Sequence, residues 1–163
     1  MAEKPLKEIS FGDMTTDDVA EVAVIERLSF TTPWSEISFY NEARRPDSVS
    51  RVARQGKKIA GYICAGRVLD EGHILTLAVR PEFRRQGIAS TLVGEVIRSL
   101  REAGCRFVFL EVRSSNEAAR RMYEKFNFRF FGLRKDYYKS PVEDAVLMVL
   151  KFHDATNSVK SES

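Results

Sequence analysis

Apolar and polar residues follow two periods along this chain, and the clearest change of period falls between His73 and Gly104. His73-Ile-Leu-Thr-Leu-Ala-Val79 is apolar and β-branched, which predicts a buried strand. From Gly87 the apolar positions are Ile88, Leu92, Val93, Val96, Ile97 and Leu100, the spacing of a long amphipathic helix. Gly104 stands where a C-terminal helix cap is expected. Arg106 to Val112 is a second apolar run, and a right-handed crossover makes it parallel to the first.

The remaining elements follow the same signals. Leu6 to Phe11 reads as a short strand. Thr15 and Thr16 before Asp17 and Asp18 give N-cap chemistry for a helix whose face is Val19, Val22, Ala23 and Leu28. Pro33-Trp34-Ser35 interrupts the chain, and Ser35 caps a second helix bearing Ile37, Phe39 and Tyr40. Val49 to Arg54 and Ile59 to Leu69 read as a hairpin joined at Gln55-Gly56-Lys57. A fourth helix is expected from Ser115 or Asn116 to about Phe126. Phe128 to Leu133 and Val142 to Phe152 close the sheet as an antiparallel pair. The order predicts an α/β sandwich with a mixed sheet, one domain over residues 1–153 and a polar, aperiodic tail over 154–163 expected to be disordered. Ligands in such sheets favour the carboxyl ends of parallel strands, which places the expected crevice after Val79 and Val112.

Composition narrows the function classes. A chain of 163 residues with eleven Phe can fill one core, and a net charge of +3 is too mild to argue for nucleic acid. No apolar run approaches the ~18 residues of a membrane span and no signal-peptide core is present, so a soluble cytoplasmic protein is expected. Cys64 and Cys105 lie in apolar surroundings without a CxxC or Cys/His cluster, which implies neither a disulfide nor a metal.

The candidate chemistry gathers around the two parallel strands. Arg84-Arg85-Gln86-Gly87-Ile88-Ala89 leads into a helix N-terminus, a ready anion site, with Gly87 and Ala89 leaving the backbone open to a phosphate. The loop lacks the Gly-Lys-Ser/Thr of nucleoside triphosphatases and the G-x-G-x-x-G of dinucleotide folds. Glu111 is a carboxylate within an apolar strand, on one face with Phe107 and Phe109. It is either a partly desolvated general base with a raised pKa or a strand-end glutamate paired with an arginine. Asn116 can cap its helix, and Tyr123 lies two turns further on nearly the same face, past the small Ala119. That face can meet a ligand, or Tyr123 can be an ordinary helix tyrosine. His73 at its strand start is a second choice for the base.

The hexapeptide and its setting resemble the pyrophosphate loop of the Gcn5-related N-acetyltransferases (GNAT). Leu110-Glu-Val-Arg-Ser-Ser-Asn116 with Ala119 and Tyr123, Phe30-Thr-Thr-Pro-Trp-Ser35, and Tyr137-Tyr138 followed by Glu143-Asp144-Ala145 are similar to segments of the ribosomal-protein alanine N-acetyltransferases and other protein N-terminal acetyltransferases. The resemblance covers residues from about 8 to 151 and departs at Ala89, where a second glycine is commoner. It implies a three-layer α/β sandwich with a centrally splayed mixed sheet of about seven strands and four helices. It implies acetyl-CoA as co-substrate, held by Leu77, Ala78 and Val79 along the pantetheine arm, by Arg85, Gln86, Gly87, Ile88, Ala89 and Ser90 around the diphosphate, and by Asn116. Glu111 would be the base and Tyr123 the acid, with Trp34, Tyr137 and Tyr138 gripping a protein N-terminus, a ribosomal protein being one candidate. No nucleic acid or membrane is expected as a partner, and oligomeric state stays open. The rivals are acetylation of lysine or a small amine, and a non-catalytic acyl-CoA-binding module.

Overall fold

Backbone capping opens the first helix. The structure, a computed structural model, describes residues 8–153. Thr15 and Asp18 form a capping box, with the Thr15 N–H donating to Asp18 Oδ2 at 2.8 Å. A short 3-10 turn, Thr16–Asp18, runs into α1, Val19–Ser29. Ser35 caps α2, Glu36–Arg44, by accepting the Ser38 N–H at 3.2 Å. The strands are β1 (Ile9–Asp13), β2 (Arg51–Gln55), β3 (Lys58–Val68), β4 (Glu71–Val79), β5 (Phe107–Arg113), β6 (Arg129–Lys139) and β7 (Val142–Lys151). The helices after β4 and β5 are α3, Ile88–Glu102, and α4, Glu117–Lys125.

The seven strands form one mixed sheet in the order β1-β2-β3-β4-β5-β7-β6, the α/β arrangement expected from the sequence. β4 and β5 are parallel, with Glu71 opposite Phe107, Gly72 opposite Val108 and His73 opposite Phe109. β5 and β7 are antiparallel, and Glu111 stands opposite Leu147. The described residues resolve into two compact units, 8–64 with 76–93 and 65–75 with 94–153, whose boundaries fall inside β3, β4 and α3.

In the first unit the core is Val22, Ile25, Phe39, Val52, Ile59, Tyr62, Ile63, Leu92 and Val93. Gly61 on β3 matters here. A Cβ there would meet the Ala78 carbonyl oxygen at 3.0 Å, Val79 Cγ2 at 3.1 Å and Ile88 Cγ2 at 3.4 Å, so the missing side chain sets how closely the end of β4 and the start of α3 approach β3. Arg80 locks the same corner, donating from its backbone to the Ala60 oxygen at 2.8 Å and from Nε to the Ile59 oxygen at 2.7 Å.

In the second unit Leu100, Val108, Leu110, Phe128, Met148 and Leu150 are buried. β6 is longer than the run from Phe128 to Leu133 suggests. It shifts register between Arg134 and Tyr138 and then pairs again, Tyr138 opposite Glu143 and Lys139 opposite Val142. The polar Arg134-Lys-Asp136 stretch hides this continuation, and Asp136 turns there with φ 52° while its N–H donates to Asp144 Oδ1 at 2.9 Å. Tyr137 and Tyr138 therefore stand on a strand rather than in a loop. The polar tail after His153 lies outside the described residues.

Candidate active site

The anion loop belongs to the first unit. A 3-10 turn at Pro81–Phe83 buries Phe83 and delivers Arg84 to Gly87 onto the surface. Arg84 Nε donates back to the Val79 carbonyl at 3.2 Å, which ties the loop to β4. Arg85 has φ 64° and Gly87 φ 77°, so two positions of the loop take the left-handed conformation, and a Cβ at Gly87 would meet nothing within 4 Å. Thr91 closes the first turn of α3, its N–H and hydroxyl both donating to the Gly87 oxygen at 3.0 and 2.9 Å. The first backbone N–H groups of α3 have no partner within the helix, Gly87 leaves open space where a Cβ would stand, and Ile88 is buried while Ala89 and Ser90 add little bulk. This geometry fits a diphosphate. Upstream, Ala78 and Val79 are buried and Leu77 is half-buried.

The titratable groups belong to the second unit. Glu111 continues the row of Phe107 and Phe109, whose rings stack with centroids 6.0 Å apart, while Phe131 meets Phe109 edge-on at 5.8 Å. His73, across the parallel pair, places Nε2 2.7 Å from Glu111 Oε2. That hydrogen bond is the main reason the Glu111 carboxyl lies below its ordinary pKa, and it outweighs desolvation. The expected upward shift is therefore corrected. The carboxyl is partly buried, as its apolar strand implies, but its partner on β4 favours the charged form.

Tyr123 is buried, its ring edge-on to Phe128 at 5.5 Å. Burial first, and Tyr138 second, raise its pKa. Tyr138 is pushed up to about 12 by desolvation, then by Tyr137, then by Glu111, with Arg113 opposing. The Arg113 guanidinium lies over the Tyr138 ring at 4.3 Å, and the two tyrosine rings meet edge-on at 5.0 Å. Glu111, His73, Tyr123 and Tyr138 are thus brought into one electrostatic group, while Tyr137 is exposed beside it. Asn116 caps α4, accepting the Ala119 N–H at 3.1 Å, which is the plain capping role that its position allowed.

Glu143 organises the same end. It accepts from the Ser115 N–H at 2.6 Å, the Ser114 hydroxyl at 3.1 Å and Arg113 at 3.2 Å, and these bonds, Ser115 first, hold its pKa down to about 2. The β6–β7 hairpin is thereby fastened to the turn between β5 and α4. The sequence offered Glu143 only within the Glu-Asp-Ala resemblance, and the fold alone shows which side chains it joins. Trp34, on the connection between α1 and α2, belongs to the first unit and packs on Phe39 with centroids 5.2 Å apart. Among the described residues, no group of His, Cys, Asp and Glu is arranged to hold a metal, and no helix is long and apolar enough to cross a membrane.

Comparison with known proteins adds independent findings. The sequence profile of the acetyltransferase (GNAT) family matches residues 19–128. The ribosomal protein bS18-alanine N-acetyltransferase of Escherichia coli (strain K12) is 33% identical over 144 residues, 86% of this chain and 96% of its own. The crystal structure of the ribosomal-protein-S18-alanine N-acetyltransferase from Escherichia coli superposes with a TM-score of 0.84 at 31% identity, covering 91% of this chain and 96% of the other. Arabidopsis thaliana NAA60 in complex with acetyl-CoA superposes with a TM-score of 0.82 at 26% identity, covering 89% of this chain and all of the other.

Proposed function

The chain belongs to the acetyltransferase (GNAT) family, and from that premise we propose that it transfers acetyl from acetyl-CoA to the free α-amine of a protein whose first residue is small. The relative's name in Escherichia coli supports a ribosomal protein as the substrate and alanine as the first residue. The Arg84–Ser90 loop takes the diphosphate through its backbone, and Leu77, Ala78 and Val79 take the pantetheine arm. The substrate amine nitrogen attacks the thioester carbonyl, the carbon–sulfur bond breaks, Glu111 receives the amine proton, and Tyr123 protonates the departing sulfur. Transfer is direct. Burial raises the pKa of both Cys64 and Cys105, which keeps both thiols protonated and poor carriers of an acyl group.

The observation that carries the choice of amine is the geometry around Glu111, a single carboxylate whose Oε2 lies 2.7 Å from His73 Nε2. A carboxylate held by His73 is a weak base. An α-amine titrates near ~7.7–8.0 and is roughly a tenth neutral at pH 7, whereas a lysine titrates near ~10.4 and is neutral in well under a thousandth of molecules. Glu111 suffices for the first and is mismatched to the second. Tyr137 and Tyr138 contact the first backbone units of the chain end, and Trp34 is a substrate contact in its own unit, with specificity for alanine or serine.

Mass spectrometry tests the reading with paired peptides, one with a free N-terminal alanine and one with a blocked N-terminus and an internal lysine. Acetyl should appear on the free α-amine alone. Equal rates on the blocked peptide would transfer the assignment to lysine, and no turnover on either would favour a binding module.

A further inference from the structure

One buried carboxyl takes no part in the chemistry above. Glu26 on α1 is 2% exposed. Its Oε1 accepts from the Tyr62 hydroxyl on β3 and from Thr76 Oγ1 on β4, the latter at 2.7 Å. Its Oε2 accepts the backbone N–H of Trp34 at 2.9 Å. The sequence carried a signal for it, since Glu26 falls four residues after Val22 and three after Ala23, on the apolar stripe of the helix.

Trp34 lies in the connection between α1 and α2, where Thr31, Thr32, Pro33 and Ser35 are all exposed. Its indole packs on Phe39, and Phe39 in turn meets Tyr62 edge-on at 5.6 Å. The backbone bond to Glu26 and the aromatic contacts therefore fix Trp34 from two sides, and both routes end on Tyr62. Thr76, the third partner, directly precedes Leu77. A carboxyl is an expensive way to fill a core position, and an apolar side chain of the same volume packs as well or better. What an apolar side chain cannot do is accept the Trp34 N–H.

We propose that Glu26 is a positioning residue, holding Trp34 and the exposed connection around it in the shape that receives the substrate peptide. The inference rests on the reading of Trp34 as a substrate contact given above. Glu26 does not touch the reacting atoms; it acts through Trp34.

Glutamine and methionine separate the tether from simple filling of space. In Glu26→Gln the carbonyl oxygen accepts the Trp34 N–H, and the amide donates to the Tyr62 and Thr76 hydroxyls, which can accept. In Glu26→Met the volume stays and the acceptor is gone. Trp34 is the chain's single tryptophan, so its fluorescence reads this connection directly, without an activity assay.

Glu26→Gln should keep wild-type emission, acrylamide quenching and peptide KM. Glu26→Met should shift Trp34 emission to the red, increase quenching and raise peptide KM about tenfold, the size of one lost hydrogen bond, with acetyl-CoA KM unchanged. Wild-type emission in Glu26→Met overturns the proposal, as does a Glu26→Gln variant damaged as badly as the methionine one. Should Glu26→Met not fold, amide exchange of Trp34 in the wild-type and Glu26→Gln proteins decides: protection supports the tether and free exchange overturns it. Trp34→Ala tests the underlying reading separately. An unchanged peptide KM there removes Trp34 from the substrate site, and the positional role with it, whatever the fluorescence shows.

Discussion

Replacing Glu111 by glutamine leaves a carbonyl oxygen for the His73 Nε2–H and removes only the proton acceptor. Because part of the substrate amine is already neutral, the loss should fall at the low end for a general base, about 10²-fold in kcat, with acetyl-CoA KM unchanged in steady-state assays. Tyr123→Phe should cost less, under about tenfold, because burial tightens the phenol's hold on its proton and a thiolate of pKa ~8.5 leaves readily unaided. His73→Ala removes the largest cause of the low Glu111 pKa, so carbon-13 titration of the Glu111 carboxyl should move upward. The place of Glu111 on one face with Phe107 and Phe109 was legible from period two alone. The direction of its pKa was not, because the deciding partner arrives from another strand and only the parallel register of β4 and β5 joins them. Asn116 shows the opposite case, where a local rule, helix capping, accounted for the side chain.

Elements were legible wherever one period ran long. The spacing from Ile88 to Leu100 and the cap at Gly104, observed with φ 89°, placed α3 without long-range information. β6 was read short because its second half is polar and pairs only after a shift of register. Two tests belong at this scale. Gly61→Ala introduces a methyl against a main-chain carbonyl oxygen at 3.0 Å, which cannot move cheaply, and against Val79 and Ile88. Thermal unfolding should show a loss of about 1–3 kcal/mol, and acetyl-CoA KM should rise because the displaced residues begin the anion loop. Glu143 supplies a pH test. Its folded pKa, about 2, lies below the ordinary carboxylate value, so its contribution is complete above that ordinary value and is lost as pH falls through about 2. In Glu143→Gln, nuclear magnetic resonance shifts of the Ser114–Ser115 turn should lack the acid-dependent change that the wild-type turn shows in that window.

For the whole molecule, the alternation of strand and helix signals was enough to predict a mixed α/β sheet, since each amphipathic element needs an apolar partner. Ligand linkage offers a test of equal reach, because whatever binds only the folded chain stabilises all of it. At a hundredfold excess over Kd, acetyl-CoA should add about 2.7 kcal/mol, which for a chain of this length is a rise of about 5–10 °C in Tm. Gly87→Glu should abolish that rise. The new side chain occupies the open space beside the start of α3 and carries the charge that a diphosphate cannot approach. It also forces a non-glycine residue to φ 77°, so the ligand-free Tm should fall slightly, by the equivalent of about 1 kcal/mol. The two effects separate cleanly, one in the free protein and one in the ligand-induced increment. Arg85→Ala should keep most of the increment, because the backbone donors remain and alanine meets the same φ of 64° that arginine does. An increment of wild-type size in Gly87→Glu, measured by scanning calorimetry with acetyl-CoA present, would move the diphosphate away from this loop and leave the left-handed turn at Arg85 and Gly87 a matter of chain reversal alone.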